Sequence, residues 1–456
     1  MAGSQTLQSE EAASFWSDAR RRLEESNREP DMGEALDFSG NKFPPDPDSK
    51  YFHGLVFQTP VSFVGAEFAC RDPFDACQFM DEVDLTGCRL IGEDNCFAFT
   101  RCRFTNRADF RECQFAGLVE FRGVSFEDDV YFDRQHIVTL RFERDDGTDG
   151  SPSCHFEGAA HFNESILSEA SFSGAVFERD VSFSGTRFKF WPRFRETEFK
   201  SKAVFAGAVF EHLSDEQKQK MSPAEAKRNI ADFARALFKY DVDFSNVQFQ
   251  CDVDFNDATF ARDVIFDGAD VHGELRFRCH CNGGGDIQLG HLRVRKEHNG
   301  EFAYRAAKNS AHARGDSRAE GDYHYREQCA VNARDRQDGR WWCRPWSRDS
   351  KVRAWGSYVF GRGVYGYGER PQRVVYVGLG VIALWAVAYW LLEAAKDGAS
   401  SFLTYLYFSV VTFTTLGYGD LQPKAGFSRF FAGTEALFGA ALMALFVVAL
   451  TRRYTR

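Results

Sequence analysis

Methionine is scarce in this chain, with 5 residues in 456, beside 47 phenylalanines. The first eleven residues are polar and acidic and contain no apolar segment of the kind that directs export. We therefore expect the 12 cysteines to stay reduced. The sequence also lacks a nucleophile–base pair, a phosphate-binding glycine loop and a set of metal ligands at suitable spacing. These absences predict a protein that is not an enzyme and that needs no cofactor.

Composition and charge limit the classes of architecture that the chain can adopt. A mean hydropathy of −0.40 excludes a chain that lies in the membrane over its whole length, and a 44% apolar content excludes disorder. The length predicts two or more domains. Residues 334–456 contain 16 Lys and Arg but 8 Asp and Glu, although the whole chain has a net charge of −10. An acidic body followed by a basic tail indicates two environments.

Large apolar residues, mostly phenylalanine, recur at alternating steps of five and six residues. One uninterrupted run is Phe172, Phe177, Phe183, Phe188, Phe194, Phe199, Phe205 and Phe210. An eleven-residue period fits neither an amphipathic helix nor an ordinary strand. Ala or Cys often stands two positions before the ring, as at Cys113, Ala175 and Ala208. Large and small residues would therefore share the interior of a narrow coil, and the cysteines are interpreted as packing residues.

Segments such as ADFRECQF, ASFSGAVF and DVDFNDATF resemble pentapeptide repeats, over roughly residues 36–277 with interruptions. The resemblance implies a right-handed quadrilateral β-helix of about nine or ten coils, spaced at about 4.8 Å, each made of two eleven-residue units. Residues 143–155 break the register and predict a loop. Residues 212–239 also break it, and their helical spacing after Ser222 predicts an inserted helix.

A connector follows the repeats. Residues 301–314 and 317–335 predict two helices separated by Gly315. Residues 334–355 are rich in basic residues and hold four tryptophans, namely Trp341, Trp342, Trp346 and Trp355. Arg and Trp together favour contact with anionic membrane lipids. Nucleic-acid binding and a plain solvated surface are the alternatives for this stretch.

Two apolar segments near the C-terminus are long enough to span a bilayer. Val374 to Leu392 carries no charge, and Phe430 to Leu450 is interrupted only by Glu435. Arginines flank both segments: Arg370, Arg373, Arg452, Arg453 and Arg456. The positive-inside rule predicts a multi-pass protein of the cell membrane, with the N-terminal domain and the C-terminus in the cytoplasm.

The segment YLYFSVVTFTTLGYGDLQP, between the two spans, resembles the pore loop of potassium channels. The resemblance implies a pore helix over residues 402–414 and an ion-binding selectivity filter made of Thr415, Leu416, Gly417, Tyr418, Gly419 and Asp420. Backbone carbonyls of Thr415 to Tyr418 would hold K⁺ in place of its water. Gly417 and Gly419 provide positions where a positive φ costs little. Leu416 and Tyr418 would brace the filter against the pore helix.

The same resemblance implies a homotetramer, because one chain cannot close a ring of carbonyls. Gly439 matches the hinge glycine of the inner helix, with close helix packing as the alternative interpretation. Helical spacing from Gly439 puts three residues on one candidate pore-lining and gating face: Met443, Val447 and Thr451. Val411 stands where a proton-gated bacterial channel has a glutamate that pairs with the filter aspartate, so that pairing is not carried over. Glu435 could act in structure or in gating.

The predicted domains are residues 1–35, a polar and helical segment; 36–280, the repeat domain; 281–370, the linker; and 371–456, the pore domain. The leading hypothesis is a potassium-selective channel for passive transport, whose cytoplasmic repeat domain regulates it or supports assembly. Its expected partners are K⁺, anionic lipids and further copies of itself, and no nucleic acid. The alternative is a membrane-tethered interaction protein, since acidic pentapeptide solenoids can mimic DNA.

Overall fold

The structure is a computed structural model that describes residues 2–28, 35–44, 52–69, 73–91, 96–143, 154–213, 216, 219, 229–281, 285–337, 357–394, 401–424 and 426–455. The chain divides into two compact units, Met1–Ser310 and Ala311–Arg456. The α-helices within the described residues are α1 (Ala2–Arg28), α2 (Glu301–Ala313), α3 (Ser317–Gln337), α4 (Pro371–Leu391), α5 (Phe402–Phe413) and α6 (Phe427–Thr455). Shorter helical turns are Glu297–Gly300, Ser357–Tyr365 (a π-helix) and Gly366–Gly368.

The first unit is a stack of short parallel strands in three sheets. The sheet on one side has 11 strands: Leu36–Asp37, Val61–Ser62, Val83–Asp84, Ala108–Asp109, Val130–Tyr131, Ala160–His161, Val181–Ser182, Ala203–Val204, Val242–Asp243, Val264–Ile265 and Ile287–Gln288. A second side has 10 strands: Val56–Phe57, Gln78–Phe79, Arg103–Phe104, Ser125–Phe126, His155–Phe156, Val176–Phe177, Glu198–Phe199, Leu237–Phe238, Thr259–Phe260 and His280–Cys281.

The third sheet covers the two remaining sides, because several long strands run through the corner between them. Its 17 strands are Lys42–Phe43, Phe52–His53, Glu67–Phe68, Phe74–Asp75, Arg89–Leu90, Cys96–Thr100, Gln114–Arg122, His136–Glu143, Ile166–Ser171, Arg187–Arg193, Val209–Phe210, Ile230–Asp232, Gln248–Phe249, Asp252–Asp254, Asp270–Val271, Leu275–Arg276 and Arg293–Val294. The stack amounts to about 10 turns. It confirms the predicted four-sided β-helix.

Two eleven-residue units make one coil, as predicted from the period. Val61 pairs with Val83, and Val242 pairs with Val264. Many inward phenylalanines stack on an equivalent ring in the next coil: the Phe183 ring is 4.9 Å from both Phe162 and Phe205, measured between centroids. This spacing matches the distance between hydrogen-bonded strands, so backbone pairing and ring stacking have the same repeat. The alternating Ala and Cys positions are buried beside the rings.

The cysteines behave as small core residues. Six of the described cysteines are buried thiols: Cys77, Cys88, Cys102, Cys113, Cys154 and Cys251. The Cys88 thiol donates to the carbonyl of Phe63 in the preceding coil, at 3.1 Å. Burial raises the pKa of the Cys251 thiol to about 12. The interpretation of these cysteines as packing residues is confirmed.

Helices cover both ends of the stack. Trp16 of α1 is buried, with its ring 5.2 Å from that of Phe52 and its indole N–H donating to the carbonyl of Pro44 at 3.0 Å. At the other end Ala303 of α2 is buried against the last apolar residues, including Leu289 and Leu292. An open coil end would expose unpaired strand edges and phenylalanine rings, and these helices remove that exposure.

Two predictions about the repeat domain are wrong. The inserted helix does not extend over residues 230–239, because Ile230–Asp232 and Leu237–Phe238 are strands of the solenoid. Phe233, Phe238 and Phe244 keep the five-and-six step, and this register prevails over the helix-forming alanines between them. The domain also does not end at residue 280, because one more coil continues to Val294 with Ile287 and Leu289 inside. Ser222 and residues 144–153 lie outside the described residues.

The two helices predicted for the linker are present as α2 and α3, and the second unit contains α3 and the helices of the predicted pore domain. The turn between α2 and α3 contains Gly315 at φ 71°, as the glycine position predicted. Pro371 begins α4 at the first helical position, where its missing N–H costs nothing. The side chain of Ser401 caps α5 by accepting from the N–H of Leu403. The basic, tryptophan-rich stretch 338–356 lies outside the described residues, so its lipid contact stays a prediction.

Candidate ion-conduction site

The site is built by two long apolar helices and the short helix between them. Pro371–Leu391 and Phe427–Arg452 are each long and apolar enough to cross a membrane. The short helix α5 lies where the sequence predicts the pore helix. Its last residue, Phe413, packs with Val374 of α4 and Leu442 of α6. The three helices therefore form one apolar core that holds the end of α5.

Two glycines let the membrane helices approach α5 closely. A Cβ atom on Gly439 would overlap the carbonyl oxygen of Phe413, and one on Gly378 would lie 3.3 Å from the Phe413 ring. Close packing therefore accounts for Gly439, the alternative raised from the sequence, while the hinge role stays a prediction. Gly378 was not identified from the sequence, since an isolated glycine in an apolar helix gives no specific signal.

The segment after α5 leaves the helical conformation within two residues. The N–H groups of Thr414, Thr415 and Leu416 still bond back to the last turn of α5, at 3.0 to 3.1 Å. Gly417 and Gly419 then have φ of 55° and 81°, the positive values expected for the filter glycines. Thr415 also has a positive φ, 55°, which the sequence did not indicate because threonine rarely adopts it.

The carbonyl groups of this segment are available to a ligand. In the described part of the chain, no backbone N–H donates to the carbonyl oxygens of the four residues from Thr415 to Tyr418. These four residues are exposed in the single chain, so water or a cation can reach their carbonyl oxygens. Oxygen-only ligation of this kind suits a hard cation, and neutral carbonyl dipoles suit a monovalent one.

Asp420 follows the filter and has a partner on α5. The phenol of Tyr407 donates to the Asp420 carboxylate at 2.8 Å. Val411, the position noted for its missing glutamate, is buried and apolar. The sequence showed that the glutamate pairing was absent, but it gave no sign that Tyr407 would supply a hydrogen bond from another turn of the helix.

The filter side chains do not pack against their own pore helix. Leu416 is 58% exposed and Tyr418 is 69% exposed in the single chain. The expected bracing by these two residues is therefore not met within one subunit. Met443, Val447 and Thr451 of α6 are exposed as well, on the face assigned to pore lining. Exposed large apolar residues of this kind normally contact another chain or lipid.

Comparisons with known proteins agree with this arrangement. Residues 377–456 match the family described as "Ion channel". Residues 99–144, 152–197 and 233–278 match the family described as "Pentapeptide repeats (9 copies)". The "Two pore potassium channel a" of Oryza sativa subsp. japonica is 40% identical over 73 residues, which are 16% of this chain and 20% of that relative. The chain thus spans about a fifth of the length of this relative, and no solved structure matches.

The two matches divide the molecule in the same way as the fold does. Residues 377–456 are thus similar to ion-channel proteins, and three stretches of the solenoid between residues 99 and 278 are similar to pentapeptide repeats. The matched ion-channel region contains α4, α5 and α6, of which α4 and α6 are long and apolar enough to span a membrane, and the matched repeat regions lie in the solenoid.

Proposed function

We propose that this protein is a potassium-selective channel that carries K⁺ passively across the cell membrane. The observation that carries the proposal is the segment from Thr415 to Tyr418, which combines positive φ values with carbonyl oxygens that accept no backbone hydrogen bond. Rings of such carbonyls replace the water shell of K⁺ as it enters the filter. The C-terminal end of α5 points its dipole in the direction that favours a cation nearby.

The channel works as a homotetramer in this proposal. One chain supplies only one set of carbonyls, whereas an ion needs oxygens on all sides. The exposure of Leu416 and Tyr418 supports this arrangement, because neighbouring subunits would cover both side chains. In a ring with closed rotational symmetry, every subunit makes the same contacts with its neighbours.

The repeat domain and the C-terminus lie in the cytoplasm, since arginines precede α4 and follow α6. The repeat domain regulates the pore or supports its assembly through α3, the helix that leads toward the membrane segments. Asn332 of α3 donates to the phenol oxygen of Tyr367. The carbonyl of Tyr367 accepts from Arg452, near the end of α6, at 3.3 Å. A displacement of α3 would therefore be transmitted through Tyr367 to the end of α6.

A flux assay tests the proposed function. Liposomes loaded with KCl or NaCl and reconstituted with the full chain should release K⁺ but retain Na⁺, and protein-free liposomes should retain both. Equal release of the two ions, or no release from correctly assembled protein, would contradict the proposal. A DNA supercoiling assay with a topoisomerase tests the alternative role as a DNA-mimicking interaction protein.

A further inference from the structure

One carboxyl group in the apolar interior of the pore domain joins all three of its helices. Glu435 lies about two turns after the start of α6 and is fully buried. Its carboxyl accepts from the phenol of Tyr389 on α4 at 2.6 Å. The same carboxyl is hydrogen-bonded to the hydroxyl of Ser409 on α5. A buried carboxyl is costly unless its oxygens are satisfied, so this residue is held where it is by specific partners.

The partners of Glu435 are two hydroxyl groups. Among the described residues, no Lys, Arg or His forms an ion pair with it, and the ring of Tyr389 lies in a cluster with Phe408, Trp385 and Phe431. The Ser409 hydroxyl also lies 2.9 Å from the carbonyl of Ile382. The Ser409 hydroxyl has one proton, so it donates either to the Glu435 carboxyl or to the Ile382 carbonyl, and in the second case its oxygen can accept from a donor at position 435.

A glutamine has the same donor and acceptor pattern as a protonated glutamic acid. Its amide oxygen can accept from Tyr389, and its NH₂ group can donate to Ser409. Leucine has a similar volume but neither function. This chemistry separates a hydrogen-bonding role of Glu435 from a role of its charge or its size.

The bridge acts on the helix that carries the filter. Ser409 and Phe413 are one turn apart on α5, and they contact Glu435 and Gly439, which are one turn apart on α6. The filter begins directly after this turn, with Leu416 bonded back to the carbonyl of Val411. A shift of α5 by loss of the bridge would therefore move the filter carbonyls by the same amount.

We propose that Glu435 is a positioning residue for the filter: with Tyr389 and Ser409 it fixes α5 between the two membrane helices and thereby sets ion selectivity. This inference depends on the proposed function, because selectivity has a meaning only in a conducting pore. In this proposal the hydrogen bonds of these three residues act together with the filter sequence to hold the carbonyls at the distance that K⁺ requires.

Reversal potentials of the full-length channel in mixed K⁺ and Na⁺ test the inference with five variants. Tyr389→Phe, Ser409→Ala and Glu435→Leu should each raise the Na⁺/K⁺ permeability ratio about fivefold or more, the factor that corresponds to one buried hydrogen bond. Glu435→Gln should stay within about twofold of the parent, since its amide restores both bonds. Tyr376→Phe, on the same helix as Tyr389 but 70% exposed, is the matched control and should change nothing.

The outcomes distinguish a failure of the positioning role from a failure of the proposed channel function. A selective parent with an unchanged ratio in Tyr389→Phe and Ser409→Ala would overturn the positioning role alone, even if their melting temperatures fall. These two variants lose a single oxygen each, so they give a result even if Glu435→Leu fails to assemble. A ratio changed equally by Glu435→Gln and Glu435→Leu would overturn the hydrogen-bonding account. A nonselective parent would overturn the proposed function and this inference with it.

Discussion

The two units of this protein differ in how far a single chain buries its large apolar side chains. In the solenoid, the phenylalanines stack on their equivalents and are buried within one chain, and helices cover both ends. In the pore domain, large apolar residues such as Leu416, Phe430 and Leu437 are mostly exposed on the single chain. The solenoid thus buries its phenylalanines within one chain, whereas in the proposed channel lipid and neighbouring subunits would cover the exposed residues of the pore domain. Substitutions in the first unit should therefore change stability, and those in the filter should change ion passage.

The largest effect is expected at a filter glycine. Gly417→Ala should abolish conduction or selectivity, because a Cβ atom at φ 55° strains the backbone that presents the carbonyls. Gly380→Ala is the matched control: this helical glycine has no atom within 4 Å of an added Cβ, so the variant should conduct like the parent. Ion flux into liposomes measures both. A Gly417→Ala channel with parental selectivity would contradict the assigned filter.

The next effect is expected in the solenoid core. Phe183→Ala should destabilise the first unit by about 3–5 kcal/mol, through the cavity that it leaves between two stacked rings. Tyr240→Ala, at an aromatic residue that is 51% exposed, should cost far less. Urea unfolding of residues 1–310 without detergent gives the comparison. Equal midpoints for the two variants, or aggregation of the parent fragment, would show that the unit is not self-contained.

A smaller effect, dependent on pH, is expected at a buried carboxylate. Asp109 lies between Arg111 and Arg107, at 2.9 Å and 3.0 Å. Burial raises its pKa, but the hydrogen bonds and charges of the arginines outweigh burial and lower the pKa below its ordinary value. Asp109→Asn should therefore cost about 1–3 kcal/mol at neutral pH.

The sign of the pH dependence follows from that lowered pKa. The stabilisation by Asp109 is fully present above its unfolded-state pKa of about 4, and it is lost as the pH falls through the lower folded-state value. Urea midpoints of parent and Asp109→Asn should converge in acid. Asp128→Asn, at an exposed aspartate, should show no such convergence. If the difference in urea midpoint between the parent and Asp109→Asn stayed constant down to the lowest pH, Asp109 would be excluded as the source of the pH dependence.

The smallest effect is expected at the outer end of the filter. Tyr407→Phe removes one exposed hydrogen bond to Asp420, so ion flux should change by less than about fivefold. The loss of flux should be smaller in Tyr407→Phe than in Gly417→Ala, because the backbone conformation of the filter matters more for conduction than this side-chain hydrogen bond. Complete loss of flux in Tyr407→Phe would reverse that ranking.

The sequence predicted the structural features that many residues specify together, but it did not predict the contacts that one pair of side chains makes. The eleven-residue period, which dozens of positions follow, predicted the coils, and the segment TLGYGD with two flanking spans predicted the pore helix and the positive φ at Gly417 and Gly419. The stretch 230–239 was misinterpreted because its alanines suit a helix as well as the inside of a coil. The last coil was missed because residues 285–294 contain no phenylalanine, and Leu289 stands at the position equivalent to Phe266 in the preceding coil.

The contacts behind the filter are the other part that the sequence did not contain. Tyr407 reaches Asp420 across thirteen residues, and Glu435 reaches Ser409 and Tyr389 on two other helices. Such pairs depend on how helices are rotated against each other, and no local spacing reports that rotation. Glu435 itself was conspicuous as a charge in an apolar span, but its partners are ordinary residues for a membrane helix.

The reversal potential under bi-ionic conditions tests the central claim most directly. The full-length protein in a planar bilayer would face KCl on one side and NaCl on the other, at equal concentration. The account predicts a reversal potential that corresponds to a K⁺/Na⁺ permeability ratio of about tenfold or more, a difference of about 1.4 kcal/mol between the two ions in the filter. A reversal potential near zero in an assembled, conducting channel would contradict the account.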